Sequence, residues 1–196
     1  GSGSSGVKLI KTRLDVAIVR AKHFRLSFTR ILKLVQRYFV LTRDEHLNYR
    51  TYHGTYKRHI AQDYIPNLDH DFKVLVFGKK YFILKRNVKK GSFKASGSGD
   101  FEFDITPPIE VLDFAEDIFC FLNEPFASLD IAHTEKGCFL IEYQVFNFGP
   151  KTVIGSSYYY QKDGDNWIAT HNDNDLETHF ADSLSHFVKS NPLTPY

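Results

Sequence analysis

The stretch FKVLVFGKKYFILKR, residues 72–86, constrains the fold most. Two short apolar runs flank Gly78-Lys79-Lys80, and both are rich in Val, Ile, Leu, Phe and Tyr. Runs of this length around a glycine-bearing turn signal a β-hairpin. A lone hairpin is marginal in water, so the rest of the chain must supply its neighbours.

Two further strands are expected at FASLDIA (126–132) and CFLIEYQ (138–144), joined through Glu135-Lys136-Gly137 and pairing antiparallel. Pro107 and Pro108 open a helix in which Val111, Leu112, Ala115, Ile118, Phe119 and Leu122 line one face. Leu176, Phe180, Leu184 and Phe187 recur at helical spacing near the end, with Asp173 or Asp175 as cap. Toward the start, VKLIK (7–11) reads as a strand and Phe24, Phe28, Ile31, Leu32, Val35 and Phe39 as a helix. Residues 42–58 read as loop, HIAQDYI (59–65) as a strand ending at Pro66, and 87–104 as a flexible segment. The aromatic, polar stretch SSYYYQKDGDNWIATH (156–171) has no assigned element and is a candidate cover for a substrate pocket. The sum is a mixed α+β chain.

At 196 residues the chain is long enough for one domain or two small lobes. Two cysteines, Cys120 and Cys138, do not make a disulfide framework, so a reducing, cytoplasmic setting is expected. No apolar run approaches the roughly 20 residues that span a bilayer. The chain lacks methionine altogether, as expected of a fragment, a processed product or an excerpt. Residues 1–58 carry thirteen Lys/Arg and three acids, net +10, and the remainder carries −8. That asymmetry suits either a polyanion partner or a solvated helix face.

Two acids sit inside apolar strands, Asp130 in SLDIA and Glu142 in LIEYQ. Counted back from the turn at 135–137, they lie near one another and can share a face. Neighbouring carboxylates on a half-buried sheet repel and lose hydration, so they need a cation or protons. Mg²⁺ is the natural counter-ion, and Gln144, two residues past Glu142, offers a third oxygen. The alternative is that both acids simply face water. Lys73 and Arg86 on the two hairpin arms, with Lys94 in the Gly/Ser-rich segment, are the cationic complement, suited to a transferring phosphoryl group. His171 and His179 stand eight apart with no matching ligand pair, a poor Zn²⁺ pattern.

AQDYIPNLDHDFKVLVFGKKYFILKR, FKASGSGDF, PPIEVLDFAEDIF, SLDIA and LIEYQ, in this order, resemble the ATP-grasp superfamily. The pattern is similar to its carboxylate–amine ligases, such as ribosomal-protein glutamate ligases and D-alanine–D-alanine ligase. The resemblance implies an α+β fold of two lobes whose antiparallel sheets sandwich ATP. Residues 1–66 would be what remains of an incomplete first lobe, and 67–196 the C-terminal lobe. It implies that Gln62, Asp63, Tyr64 and Ile65 line the adenine pocket, with Asp69 or Asp71 at the ribose. It implies that Asp130, Glu142 and Gln144 hold Mg²⁺ or Mn²⁺ on ATP, although Gln144 stands where the family has Asn. Lys73 stands where the family often has Arg, and Arg86 where it places a phosphate- or substrate-contacting Arg. Lys94 joins these two as a catalytic candidate.

The opening GSGSSG suits either a linker added in cloning or, on the resemblance, a loop whose Gly3, Ser4, Ser5 and Gly6 face the phosphates. The activity implied is ATP-dependent ligation of a carboxylate to an amine, with an amino acid or peptide as the substrate class, through an acyl phosphate. The alternatives are a catalytically incomplete nucleotide-binding or scaffold module and, ranked last, a nucleic-acid contact by the basic first 58 residues. No membrane partner is expected.

Overall fold

A computed structural model describes residues 7–24, 60–89, 99–146, 148–173 and 175–192. The chain forms two compact units, Gly6–Ile65 and Pro66–Tyr196.

The first unit contains helix α1, Arg13–Phe24. Its start is a reciprocal cap. The Asp15 carboxylate accepts from the Lys11 and Thr12 N–H groups at 3.0 and 2.8 Å, while Asp15 N–H donates to Thr12 Oγ1 at 3.2 Å. These bonds hold the Asp15 carboxyl below the usual carboxylate range, the one from Lys11 N–H contributing most. Two expectations fail in this unit. Residues 7–11 form no strand, because Lys11 and Thr12 are recruited into the helix cap and Val7 and Ile10 are exposed. Residues 60–65 form no strand either. A short apolar stretch permits a strand, but a strand exists only where a neighbour completes its hydrogen-bond ladder. Of the helix expected over 24–39, all but Phe24 lies outside the described residues, as do Gly3–Gly6, the loop read over 42–58 and Lys94.

The second unit is a seven-stranded antiparallel sheet: β1 (His70–Phe77), β2 (Lys80–Asn87), β3 (Phe101–Glu102), β4 (Phe126–Thr134), β5 (Gly137–Gln144), β6 (Tyr158–Asp163) and β7 (Asn166–His171). The order is β5-β4-β1-β2-β6-β7, with β3 also on β2. Helix α2 (Ile109–Leu122), short helix α3 (Lys151–Gly155) and helix α4 (Leu176–Ser190) complete it. The β1–β2 turn is two residues long, and Gly78 takes φ 59°, a left-handed conformation open to glycine without steric cost. The helix α2 ends at Asn123, also left-handed, with its N–H on Phe119 O. Asp175 caps α4 through Thr178 N–H.

Alternation divides the sheet into two apolar layers. Phe72, Val74, Val76, Ile83, Leu129 and Ile131 pack under α2 through Val111, Leu112 and Ala115. Leu75, Phe77 and Phe82 face the other way, against Val153 of α3 and Leu176 and Phe180 of α4. Residues 158–171 form the β6–β7 hairpin of this sheet, turning at Gly164-Asp165. Among the described residues no helix is long and apolar enough to cross a membrane.

Candidate functional site

The face that carries α3 and α4 changes character along β1. Leu75 and Phe77 are apolar, whereas Asp71 and Lys73 continue the same side of the strand. Register extends this polar patch across four strands. Lys73 lies opposite Asp130 on β4 and Leu84 on β2, Asp71 opposite Arg86, Ser128 opposite Gln144, and Asp130 opposite Glu142.

The last pairing depends on a bulge. From the turn, Thr134↔Gly137 runs in register to Ile131↔Leu140, and continued evenly that count sets Asp130 against Ile141. Glu142 would then lie across from Leu129, on the α2 face. The register shifts between Asp130 and Ile131, making Ile141 the extra residue and returning Glu142 to the side of Asp130.

The patch is a connected ion-pair array. Arg86 Nε and Nη2 donate to Asp71 Oδ1 and Oδ2 at 2.6 and 2.9 Å, a bidentate fork. Arg86 Nη2 also lies 2.8 Å from Asp130 Oδ2. Lys73 Nζ lies 3.2 Å from Asp130 Oδ1 and donates to Ser128 Oγ at 2.8 Å. Asp71, Arg86 and Asp130 are buried, at 3%, 6% and 7% exposure. Burial pushes the Asp71 carboxyl up, with the guanidinium pulling the other way. Burial alone would ease the proton off Arg86, but its bond to Asp71 and the charges of Asp130 and Asp71 outweigh it, so the guanidinium is held charged. Glu142, on the exposed edge strand, accepts from Gln144 Nε2 at 2.7 Å.

The structure therefore brings Lys73, Arg86, Asp71, Asp130, Glu142 and Gln144 onto one face. Asp71 is engaged by Arg86, whereas the exposed Asp69 sits 2.5 Å from His70 Nδ1. Gln62, Asp63 and Tyr64 are exposed and Ile65 half-buried in the other unit. Ser128 was not singled out in the sequence. Its signal was there: a hydroxyl two residues before Asp130 on a strand of otherwise apolar residues.

The donors suit a hard divalent cation. Asp130 and Glu142 are opposed carboxylates, and Gln144 adds an amide whose half-turn would present Oε1. Two cations, Lys73 and Arg86, stand against three carboxylates, Asp71, Asp130 and Glu142, leaving one negative charge over. Protein carboxylates and imidazoles do not close a site by themselves, since no group of three or more His, Cys, Asp or Glu is placed to hold a metal among the described residues. Any cation here would rely on the amide, water or oxygens of a bound anion. No protein-family model matches this chain, and no curated protein matches it.

Proposed function

We propose that the chain is an ATP- and Mg²⁺-dependent carboxylate–amine ligase of ATP-grasp type. The observation that carries the reading is the array of opposed carboxylates beside two cations on one sheet face. Asp130, Glu142 and Gln144 would hold Mg²⁺, which when bound supplies charge neutralisation of the nucleotide phosphates. Arg86 and Lys73 would meet the γ-phosphoryl group as it passes to a substrate carboxylate. An amine would then attack the acyl carbon of the acyl phosphate and expel phosphate. Such chemistry asks the protein for position and charge rather than for a nucleophile. Two free cysteines suit the reducing cytoplasm where such a ligase would work.

A second reading is a nucleotide-binding or scaffold module without turnover. It is favoured by Asp130, both of whose oxygens already sit on protein cations. Calorimetry with Mg²⁺-ATP, on the chain and on Asp130→Ala/Glu142→Ala, tests the nucleotide site common to both. Magnesium-dependent binding that the double variant loses is expected. A folded chain that ignores ATP with and without Mg²⁺ overturns the ligase reading. Binding without ADP release, in the presence of candidate amino acids and peptides, favours the second.

A further inference from the structure

The two cations on Asp130 are not equivalent. Arg86 is held by two bonds to Asp71, and its side chain is 8% exposed. A planar fork fixed in this way does not leave its carboxylate easily. Lys73 is 19% exposed and hangs on a flexible four-carbon stem, and among the described residues its other hydrogen-bond partner is the neutral hydroxyl of Ser128, with the Asp71 charge acting on it from farther off. Arg86 takes Asp130 Oδ2, so the oxygen left for an incoming cation is Oδ1, which Lys73 holds at 3.2 Å.

The row across the strands sets the geometry of exchange. Glu142, Asp130 and Lys73 stand side by side on β5, β4 and β1. A cation bridging Asp130 and Glu142 would come from the β5 side, opposite the strand that carries Lys73. An ammonium and a divalent ion on one carboxylate oxygen would repel strongly in so buried a place. Lys73 would have to give way, and Ser128 offers it a neighbouring hold.

We propose that Lys73 is the exchangeable counter-ion of Asp130. Its ammonium satisfies Oδ1 until a divalent cation takes that oxygen, and is then released to meet the anionic group that arrives with the cation. This rests on the ligase reading for the identity of that anion, but the exchange itself is a property of the side chains described. It also removes the apparent obstacle that both oxygens of Asp130 are occupied.

Mn²⁺ is the probe, its free fraction read by electron paramagnetic resonance without nucleotide, on the full chain and on three variants. Lys73→Met is expected to bind Mn²⁺ about tenfold more tightly than the parent, because a competing unit charge is gone. Lys73→Arg, which restores a cation, is expected to bind no more tightly than the parent. Lys73→Met/Asp130→Asn is expected to lose the gain. A general loosening of the fold would weaken binding, so a gain is not what a merely structural lysine would produce. Equal or weaker Mn²⁺ binding by Lys73→Met, including no detectable binding by either protein, overturns the exchange. Mg²⁺-ATP calorimetry on the parent separates the two ideas: absence of nucleotide binding there sinks the ligase reading, while the Mn²⁺ comparison still decides the role of Lys73.

Discussion

Asp71→Ala is the perturbation whose consequence is most tightly set by geometry. It removes both bonds of the fork at 2.6 and 2.9 Å and leaves the Arg86 guanidinium buried with Asp130 alone. Stripping one partner from a buried ion pair costs about 3–5 kcal/mol, because the remaining charge stays desolvated. The contact retained at 2.8 Å to Asp130 places the expected loss near the lower figure, about 3 kcal/mol. Urea unfolding reads it through Trp167, the single tryptophan, which lies in β7 and donates to Asp113 Oδ1 at 2.8 Å. With a slope of about 2 kcal/mol per molar urea, the midpoint should fall by about 1.5 M. A second variant isolates the cause. Asp71→Leu/Arg86→Met removes both charges of the fork but also takes the cation at 2.8 Å from Asp130, which keeps Lys73, so it should recover part of the loss. A single-variant loss below about 0.5 kcal/mol, the size typical of a surface pair, would refute the reasoning.

Two further outcomes follow from the opposite end of the same sheet face. His179 is 2% exposed, its Nδ1 3.1 Å from Lys80 Nζ and its Nε2 3.1 Å from Asn172 Oδ1. Burial first, and the Lys80 ammonium second, depress its pKa, with Asp173, Asp175 and Asp182 opposing. A depressed folded value means that its stabilising contribution is whole above the ordinary value of about 6.5 and is lost as pH falls below it. The urea midpoint should therefore decline from pH 7 to pH 5 more steeply in the parent than in His179→Gln; equal slopes would count against it. Gly155→Ala would set a Cβ 2.6 and 2.7 Å from Cζ and Cδ1 of Phe103, so the ring must move, and thermal unfolding should show a loss of about 1–3 kcal/mol. An unchanged melting temperature would mean that the ring gives way freely.

Much of the second unit was legible because its signals are local. The 72–86 hairpin announces itself through Gly78, and α2 through Pro107-Pro108 and its apolar stripe. The helix α4 is announced by Asp175 and residues at helical spacing. Two further elements also carry local signals. Thr12 and Asp15 form the capping signature of α1, and Gly164-Asp165 is a two-residue hairpin turn between β6 and β7. Where residues 7–11 and 60–65 were expected to be strands, short apolar stretches were present and no ladder formed.

For the candidate site, the sequence by itself determined which chemical groups are available: two strand carboxylates, an amide beside one of them, and cations on the hairpin arms. Residue type and period-two alternation are written in the chain, so the common face of Asp71, Lys73 and Arg86 follows once the hairpin is accepted. Which strands are neighbours is not written there. Only the tertiary structure placed β1 beside β4, which sets Lys73 against Asp130 and turns a list of charges into ion pairs. Only the bulge at Ile141 put Glu142 on the side of Asp130, since an even register would have sent it to the opposite face. Side-chain alternation has a period of two, so one inserted residue, whose stability depends on contacts far away in sequence, decides the facing of everything beyond it.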